Sequence, residues 1–133
     1  MVLKKLQQYH AGTYTFFRIV VGLLFAQHGA QKLLGWFGAK GTVPLLSLMG
    51  LAGVIELVGG IAIAVGFFSR LAAIGGIADM IGASVLMHFP NGWVPIVNKG
   101  ELALLYLACF VIIAVHGNGK LSLEKTVLKK EVF

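Results

Sequence analysis

The chain has 133 residues, of which 58% are hydrophobic and only 12% are charged. Soluble domains carry about 25% charged residues, so this composition indicates an integral membrane protein and argues against a separate soluble catalytic domain. The formal net charge is +6, and lysines are concentrated before the first apolar run and after the last one. That distribution is typical of a topology signal. It lacks the interleaved aromatic residues of a nucleic-acid groove, so no nucleic-acid partner is expected.

Four apolar runs predict an all-α fold, a transmembrane four-helix bundle with short loops that forms one domain over residues 1–133. The first span is predicted at about residues 13–34, where a break rich in glycine follows. The second is predicted at 45–68, and the third at 70–88 after a very short turn. A segment with two prolines precedes the fourth span, at 97–116. With an even number of spans, the lysine bias predicts a multi-pass protein of the cell membrane with both termini in the cytoplasm.

Three of the five acidic residues, Glu56, Asp79 and Glu101, lie inside the predicted spans. A charged side chain at the bilayer centre costs at least about 2.5–3.5 kcal/mol, so each acid is expected to face the bundle interior. There it would pair with a cation or belong to a pathway. Small residues recur every three or four positions along the second and third spans. This spacing predicts that Glu56 and Asp79 lie on helix-packing faces.

The cationic residues of the first span share one helical face. Arg18, His28 and Lys32 fall within an arc of about 80° at 100° per residue. Because Arg18 lies about one turn from Glu56 in depth and has a long flexible side chain, we expect these two residues to interact, directly or through water. The fourth span carries a second polar stripe, which we expect to face the bundle interior. Its members are Asn98, Glu101, Leu105, Cys109, Ile112 and His116.

A further polar set gathers toward the outer face of the predicted bundle. We expect His28, Lys32, His88 and Glu101 to line one outward-opening cavity, with Asn98 close by, and the first and fourth spans to supply most of its polar lining. Such a cavity suits a small anion or the head group of a quinone. Histidine passes protons near neutral pH, and the neighbouring glutamate and lysine would set its pKa.

Structural roles for the same residues stay open. Glu56 and Arg18 would then only fix the register of two helices. Asp79 would either be protonated and bonded to the backbone or to Ser84, or belong to a proton path. Cys109 would be a small buried hydrophobic residue.

Few cofactors are compatible with the sequence. The single cysteine, Cys109, excludes an intrachain disulfide and a cysteine-based zinc or iron–sulfur site. His28, His88 and Glu101 would suit a two-histidine, one-carboxylate metal site, but no local spacing supports it, so no metal is predicted. The glycine-rich motifs of nucleotide-binding folds are missing, so no nucleotide cofactor is expected.

An ordered series of motifs covers nearly the whole chain. It runs from Arg18 and Gly22 through His28-Gly29-x-Gln31-Lys32-Leu33, Ala52-Gly53-x-Ile55-Glu56-x-x-Gly59-Gly60, Ser69-Arg70-x-Ala72-Ala73 and His88 to Asn98-x-Gly100-Glu101-x-Ala103-Leu104-Leu105-Tyr106-Leu107 and Gly117-x-Gly119-x-Leu121-Ser122. In this order the motifs resemble the DoxX family of small four-helix membrane proteins. The resemblance assigns family motif positions to Arg18, His28, Lys32, Glu56, Arg70, His88 and Glu101. Asp79 and Cys109 fall outside these positions.

The resemblance implies membrane redox chemistry, because some members of that family are linked to terminal oxidases or to thiosulfate–quinone oxidoreduction. Our leading hypothesis is therefore a membrane protein of quinone-linked redox metabolism, either an oxidoreductase or the membrane subunit of one. It would bind a quinone or a small reduced substrate within the bundle. The hypothesis assigns catalytic roles to His28, His88 and Glu101, and substrate binding to Arg18, Lys32, Glu56 and Asn98.

Two alternatives use the same polar residues differently. One is a transporter or binding protein for a small molecule or anion, which needs only a buried polar site between helices. The other is a membrane scaffold, whose polar residues fix packing while a partner oxidoreductase performs the chemistry. The expected partners are the lipid bilayer, a small hydrophobic or anionic ligand, and either a partner redox protein or further copies of the chain in a homo-oligomer.

Overall fold

The computed structural model describes residues 2–132, with side chains from Lys5 onward. Within this range all regular secondary structure is helical, which confirms the all-α prediction. The helices are α1 (Val2–Gln7), α2 (His10–Leu34), α3 (Leu48–Val65), α4 (Ser69–Asn91), α5 (Pro95–Asn98), α6 (Glu101–His116) and α7 (Leu123–Leu128). The four longest helices, α2, α3, α4 and α6, correspond to the four predicted spans to within a few residues.

Local sequence sets the ends of these helices. Gly35 after α2 and Gly66 after α3 adopt left-handed φ angles of 69° and 74°, which suit a helix C-terminus. Ser47 caps the start of α3, where its Oγ accepts the backbone N–H of Gly50 at 3.0 Å. Lys99 also takes a left-handed φ, 61°, and thereby separates α5 from α6. For this reason α6 begins later than the predicted fourth span.

The outer surfaces of the long helices are strongly apolar. Phe16, Val58, Ile74 and Val115 are each more than half exposed, and many similar side chains surround them. By length and composition α3 and α4, with 18 and 23 residues, are able to cross a membrane, whereas the apolar helix α6 has 16 residues. Large exposed apolar surfaces are rare on soluble monomers and suit contact with lipid chains.

Glycine brings α2 and α3 into close backbone contact. A Cβ added at Gly22 would collide with the backbone of Gly60, and one added at Gly29 would collide with the backbone of Gly53. Small residues at this spacing allow helices to approach in lipid, where no hydrophobic driving force holds them together. Glu56 lies on this face and is only 4% exposed, so the prediction that it occupies a packing face is confirmed.

The apolar core lies between α2, α3, α4 and α6, and Phe110 at its centre is fully buried. The ring of Phe110 fills the space beside Gly76, where a side chain would collide with it. The buried face of α6 consists of Ala103, Tyr106, Phe110 and Ile113. The prediction that the polar stripe of this helix faces inward is therefore wrong, and Glu101, Leu105, Ile112 and His116 are exposed. Because α6 is apolar nearly all round, periodicity does not mark its inner face.

Two stretches of π-helix interrupt the regular geometry of α3 and α4, at Ile55–Gly59 and Ser84–His88. Short π-helical turns inside α-helices occur frequently at functional sites. The first of them contains Glu56, the most buried acid of the predicted spans. Patterns based on 3.6 residues per turn do not indicate such turns, so the sequence did not predict them.

Residues 117–132 close one end of the helices. Glu124 is fully buried, and its Oε2 accepts the backbone N–H of Phe68 at 2.8 Å and Nδ2 of Asn118 at 2.5 Å. Asn118 Oδ1 in turn accepts the backbone N–H of Ser69 at 3.2 Å. These side chains therefore satisfy backbone donors at the start of α4, which have no partner within the helix itself.

Candidate functional site

An ion pair between α2 and α3 forms the centre of the candidate site. Lys32 Nζ lies 2.6 Å from Oε1 of Glu56. The Glu56 side chain is 5% exposed and that of Lys32 is 25% exposed, so the carboxylate is buried while the ammonium lies nearer the surface. The π-helical turn at Ile55–Gly59 carries Glu56, and α2 carries Lys32 near its C-terminal end.

The predicted pair between Arg18 and Glu56 is wrong. Arg18 is 1% exposed, and its guanidinium donates to the backbone carbonyls of Ile63, Ala64 and Leu121. Ile63 follows Glu56 by seven residues, or about 10 Å along a helix at 1.5 Å per residue. A hydropathy pattern locates a residue along its helix only to within a few positions. Here that imprecision led to the wrong choice between Arg18 and Lys32 as the partner of Glu56. Arg18 instead joins the end of α3 to the C-terminal segment.

A cavity of about 100 Å³ lies beside this ion pair. It is lined by Phe25, His28, Glu56, Met80, Leu102, Ala103 and Tyr106. Helices α2 and α6 supply five of these seven residues, of which His28 and Tyr106 are polar. His28 meets the ring of Tyr106 edge-on, with ring centroids 5.9 Å apart and an angle of 87° between the planes.

Glu56 has one carboxylate oxygen without a hydrogen bond. Oε1 accepts the hydrogen bond from Lys32, whereas Oε2 is buried and has no hydrogen-bond partner among the described residues. A buried carboxylate oxygen without a donor is costly, and it is stabilised when a ligand or water donates to it. The cavity lining therefore combines a carboxylate that has one unpartnered oxygen with an imidazole and a phenol ring.

The other predicted site residues do not line this cavity. His88 Nδ1 lies 3.1 Å from the carbonyl oxygen of Asn98. Asn98 is buried, donates through Nδ2 to the Gly92 carbonyl at 2.6 Å and accepts the Gly100 N–H through Oδ1 at 2.8 Å. His88 and Asn98 thus shape the segment between α4 and α6. Glu101 is exposed in the first turn of α6, where a carboxylate stabilises the helix dipole. The prediction that His88 and Glu101 share a cavity with His28 is wrong for this cavity.

Sequence reasoning missed two residues that the fold makes central. Tyr106 lines the cavity with His28, and its place in the Ala103-Leu104-Leu105-Tyr106 motif was the only signal for it. Glu124 lies in a lysine-rich tail outside the predicted spans and motifs, but it is fully buried. Its position two residues after the cap residue Ser122 indicates that a helix starts there. That position does not indicate the contacts of Glu124 with residues distant in sequence.

The C-terminal segment also holds a surface carboxylate in a cationic setting. Glu131 lies 3.1 Å from Lys125 Nζ and 3.9 Å from Arg70 Nη1, and it accepts the Asn118 backbone N–H at 2.8 Å. Partial burial opposes ionisation of Glu131, but the Asn118 hydrogen bond and the Lys125 ammonium outweigh it. They hold the pKa of this carboxyl below its ordinary value of 4.5. Across residues 2–132, no three histidine, cysteine or acidic side chains are grouped to hold a metal ion.

Comparison with known proteins gives a consistent family assignment. The model of the DoxX family matches residues 13–89, more than half of the chain. An uncharacterised protein of Haemophilus influenzae is 37% identical over 138 aligned positions, which cover 96% of this chain and 100% of that protein.

Two further relatives are more distant. An uncharacterised membrane protein of Mycobacterium tuberculosis is 28% identical over 85% of this chain and 80% of its own length. CatD of Bacillus subtilis, whose name describes it as a proposed oxidoreductase, is 28% identical over 84% of this chain and 84% of its own. No solved structure matches the chain.

Proposed function

This chain belongs to the DoxX family of membrane proteins, and on that premise we propose that it binds the ring of a quinone in quinone-linked redox metabolism. The binding site is the cavity lined by His28, Glu56 and Tyr106. The name of the Bacillus subtilis relative supports a redox role. The protein acts either as an oxidoreductase itself or as the membrane subunit of a partner redox protein.

The buried, unpartnered Oε2 of Glu56 is the observation that carries this proposal. A quinol or another small reduced substrate brings the hydroxyl donor that this oxygen lacks. The cavity of about 100 Å³ equals roughly three water molecules at ~30 Å³ each, so it takes the hydroxyl-bearing edge of a ring, and the rest of the ring and any isoprenoid tail extend beyond it. Leu102 lines the cavity and is half exposed on the outer surface, which gives such a tail a route into lipid.

The side chains around the cavity suit proton handling. Glu56 Oε2 accepts a hydrogen bond from a hydroxyl and is placed to hold its proton, while Lys32 fixes the orientation of the same carboxylate through Oε1. His28 lies beside Glu56 in the cavity lining and is suited to pass a proton near neutral pH. Tyr106 packs against the imidazole and limits its rotation. A bound quinol would supply the two-electron redox chemistry: its oxidation to the quinone would release two protons toward Glu56 and His28 and two electrons to an electron acceptor such as a partner redox protein.

The proposal includes a four-helix transmembrane bundle in the cell membrane. Helices α2, α3, α4 and α6 form the spans, and α6 reaches its full length with the help of α5 and the adjoining loop. Support comes from the apolar outer faces of these helices and from the glycine contacts between α2 and α3.

A site for a free anion is less well supported by the same cavity. Lys32 is the nearest ammonium, and its charge is already matched by Glu56 at 2.6 Å. The available group, Glu56 Oε2, is an acceptor and would repel an anion. Transport of a neutral small molecule would use the same acceptor, Glu56 Oε2. A quinone bound to the purified protein distinguishes the redox role from this alternative.

Purified protein in mild detergent tests the proposal. We expect mass spectrometry to find a copurified quinone, and we expect a short-chain ubiquinol to bind saturably. A lost hydrogen bond to a charged acceptor costs about 1.5–3 kcal/mol, so Glu56→Gln should weaken this binding at least about tenfold. His28→Ala should weaken it as well. Gln27→Ala, which changes an exposed neighbour on α2, is the matched control and should leave binding unchanged.

Absence of both a copurified quinone and saturable quinol binding would refute the proposal. Equal affinities of the Glu56→Gln variant and the unaltered protein would move the site elsewhere. Because Glu56→Gln also breaks an ion pair, its folded yield is measured by size-exclusion chromatography. If this variant does not fold, the quinol affinities of His28→Ala and Gln27→Ala are compared instead, and equal affinities would contradict the proposed site.

A further inference from the structure

A second cavity, distinct from the one around His28, lies between α3 and α4. Its volume is about 250 Å³, and it shares no lining residue with the first cavity. Apolar side chains such as Ile55 and Leu86 form its walls, while Gly82 and Ala83 leave the space open. Asp79 is the one ionisable residue among the described residues that line it.

Asp79 presents a buried acceptor without a partner. Its Oδ2 is inaccessible to solvent and has no hydrogen bond among the described residues. Ser84, the neighbour expected from the sequence to bond it, also has a buried hydroxyl without a partner. The structural alternative in which Ser84 satisfies Asp79 is therefore contradicted. A carboxylate at this depth in an apolar wall is costly unless a donor or a cation reaches it.

The surrounding charges favour a cation as that missing group. Glu56 and Lys32 lie near enough to act on Asp79 electrostatically, and they neutralise each other through their contact of 2.6 Å. Together the three side chains carry one net negative charge, located on Asp79. A ligand with a single positive charge and hydrogen-bond donors balances this charge, whereas a neutral alcohol supplies only the hydrogen bond.

We propose that the Asp79 cavity is a binding site for a small apolar amine, with its protonated amino group on Asp79 and its hydrocarbon part against the walls of α3 and α4. Drug-sized ligands occupy pockets of about 300–1,000 Å³. The cavity of about 250 Å³ therefore fits a smaller molecule, of the size of one ring with a short amine arm. Leu51, Leu86 and Met87 line the cavity and are more than half exposed, so the ligand enters from the apolar surface.

The chain offers a matched pair of variants for the steric part of this proposal. A Cβ added at Gly82 meets no atom within 4 Å, so Gly82→Leu fills the cavity without a backbone collision. A Cβ added at Gly12, at the start of α2 and outside the cavity, also meets no atom within 4 Å. Gly12→Leu is therefore the control for the same change of residue type.

The test uses the full chain in nanodiscs of zwitterionic lipid and tritiated phenethylamine as the probe, with binding measured by a scintillation proximity assay. We expect saturable binding, a loss of affinity of at least about tenfold in Asp79→Asn, and loss of binding in Gly82→Leu but not in Gly12→Leu. Unlabelled phenethyl alcohol, the neutral analogue, should compete at least about tenfold less well than phenethylamine. Hydrocinnamate, the anionic analogue, should not compete.

Each of three results would overturn the proposal: no saturable binding, equal affinity of Asp79→Asn, or equal competition by the alcohol and the amine. The comparison of competitors needs only the unaltered protein, so it decides even if Asp79→Asn does not fold. Because the site shares no lining residue with the quinone cavity, His28→Ala serves to separate the two: it should weaken quinol binding and leave phenethylamine binding unchanged. A loss of quinol binding in that variant has no bearing on the steric effect of Gly82→Leu.

Discussion

At the scale of single residues, the choice of partner for Glu56 determines what its second oxygen can do. Lys32 holds Oε1, so we expect a direct energetic coupling between these two side chains. In a double-mutant cycle, Glu56→Gln should destabilise the protein less in a Lys32→Met background, with a coupling energy of about 0.5–3 kcal/mol. The measurement is the free energy of unfolding in detergent.

The same cycle with Arg18 is its control. Arg18 donates to backbone carbonyls and does not contact Glu56. Losses in Glu56→Gln and Arg18→Gln should therefore add to within about 0.3–0.5 kcal/mol. Coupling to Arg18 with additivity toward Lys32 would restore the pairing expected from the sequence and contradict the structure.

The sequence predicted which helices carry the buried polar residues, but it did not predict which side chains contact one another. The sequence correctly indicated that Glu56 is buried on a helix-packing face. It assigned the wrong cation to Glu56, because two candidates lie on the same face of α2 about four turns apart. A hydropathy pattern does not locate side chains to within the few ångströms that decide whether two of them are in contact.

At the scale of helices, the crossing of α2 and α3 depends on the absence of side chains. Gly29→Ala and Gly60→Ala each place a Cβ against the backbone of the facing helix. Overpacking of this kind typically costs about 1–3 kcal/mol, so both variants should unfold at lower temperature. Gly82→Ala is the matched control, since its Cβ meets no atom and alanine is favoured in a helix by about 0.5–1 kcal/mol. Equal melting temperatures for all three variants would contradict this close packing.

The existence of each long helix was predictable from apolar runs and their glycine or proline breaks. The π-helical turn that carries Glu56 and the inner face of α6 were not. Both depend on how one helix meets the others, since α6 is apolar on most of its surface and a π-helical turn has no composition of its own. The candidate site was therefore predictable in its elements and only partly in its residues.

At the scale of the whole molecule, the C-terminal segment should make stability depend on acidic pH. Lys125 and Asn118 hold the pKa of Glu131 below 4.5, so this carboxyl binds a proton less readily when folded than when unfolded. The contribution of Glu131 to the free energy of unfolding is fully present above its pKa in the unfolded chain. This contribution is lost as the pH falls through its lower pKa in the folded protein. Since its partners Lys125 and Arg70 are exposed, solvent screens these ion pairs and the effect should be small.

The check for Glu131 compares melting temperatures of the unaltered protein and Glu131→Gln. The difference between them should be largest near neutral pH and should shrink as pH falls below about 4.5. A difference that grows toward acidic pH would mean that Glu131 is not stabilised as a carboxylate.

The start of α2 and the segment after α6 meet at the same end of the long helices, and this arrangement determines the topology test. Tyr14 near the start of α2 donates to the carbonyl of Gly117 after α6 at 2.6 Å, and the rings of His10 and His116 lie 6.4 Å apart. Seven cations belong to this end or to the terminal segments: Lys4, Lys5, Arg70, Lys120, Lys125, Lys129 and Lys130. Loops at the opposite end carry Lys40 and Lys99. The positive-inside rule then predicts that both termini face the cytoplasm.

Reporter fusions in a bacterial host test this orientation. A C-terminal green fluorescent protein should fluoresce, because it folds in the cytoplasm, and a C-terminal alkaline phosphatase should be inactive. Phosphatase inserted at Gly38, an exposed loop position with no atom near its Cβ direction, should be active and provides the opposite control. Lysines added to residues 36–43 would weaken the charge bias and should reduce the fluorescence of the C-terminal fusion. An inactive insertion at Gly38 together with an active C-terminal phosphatase would reverse the proposed topology and place the His28 cavity nearer the cytoplasmic face.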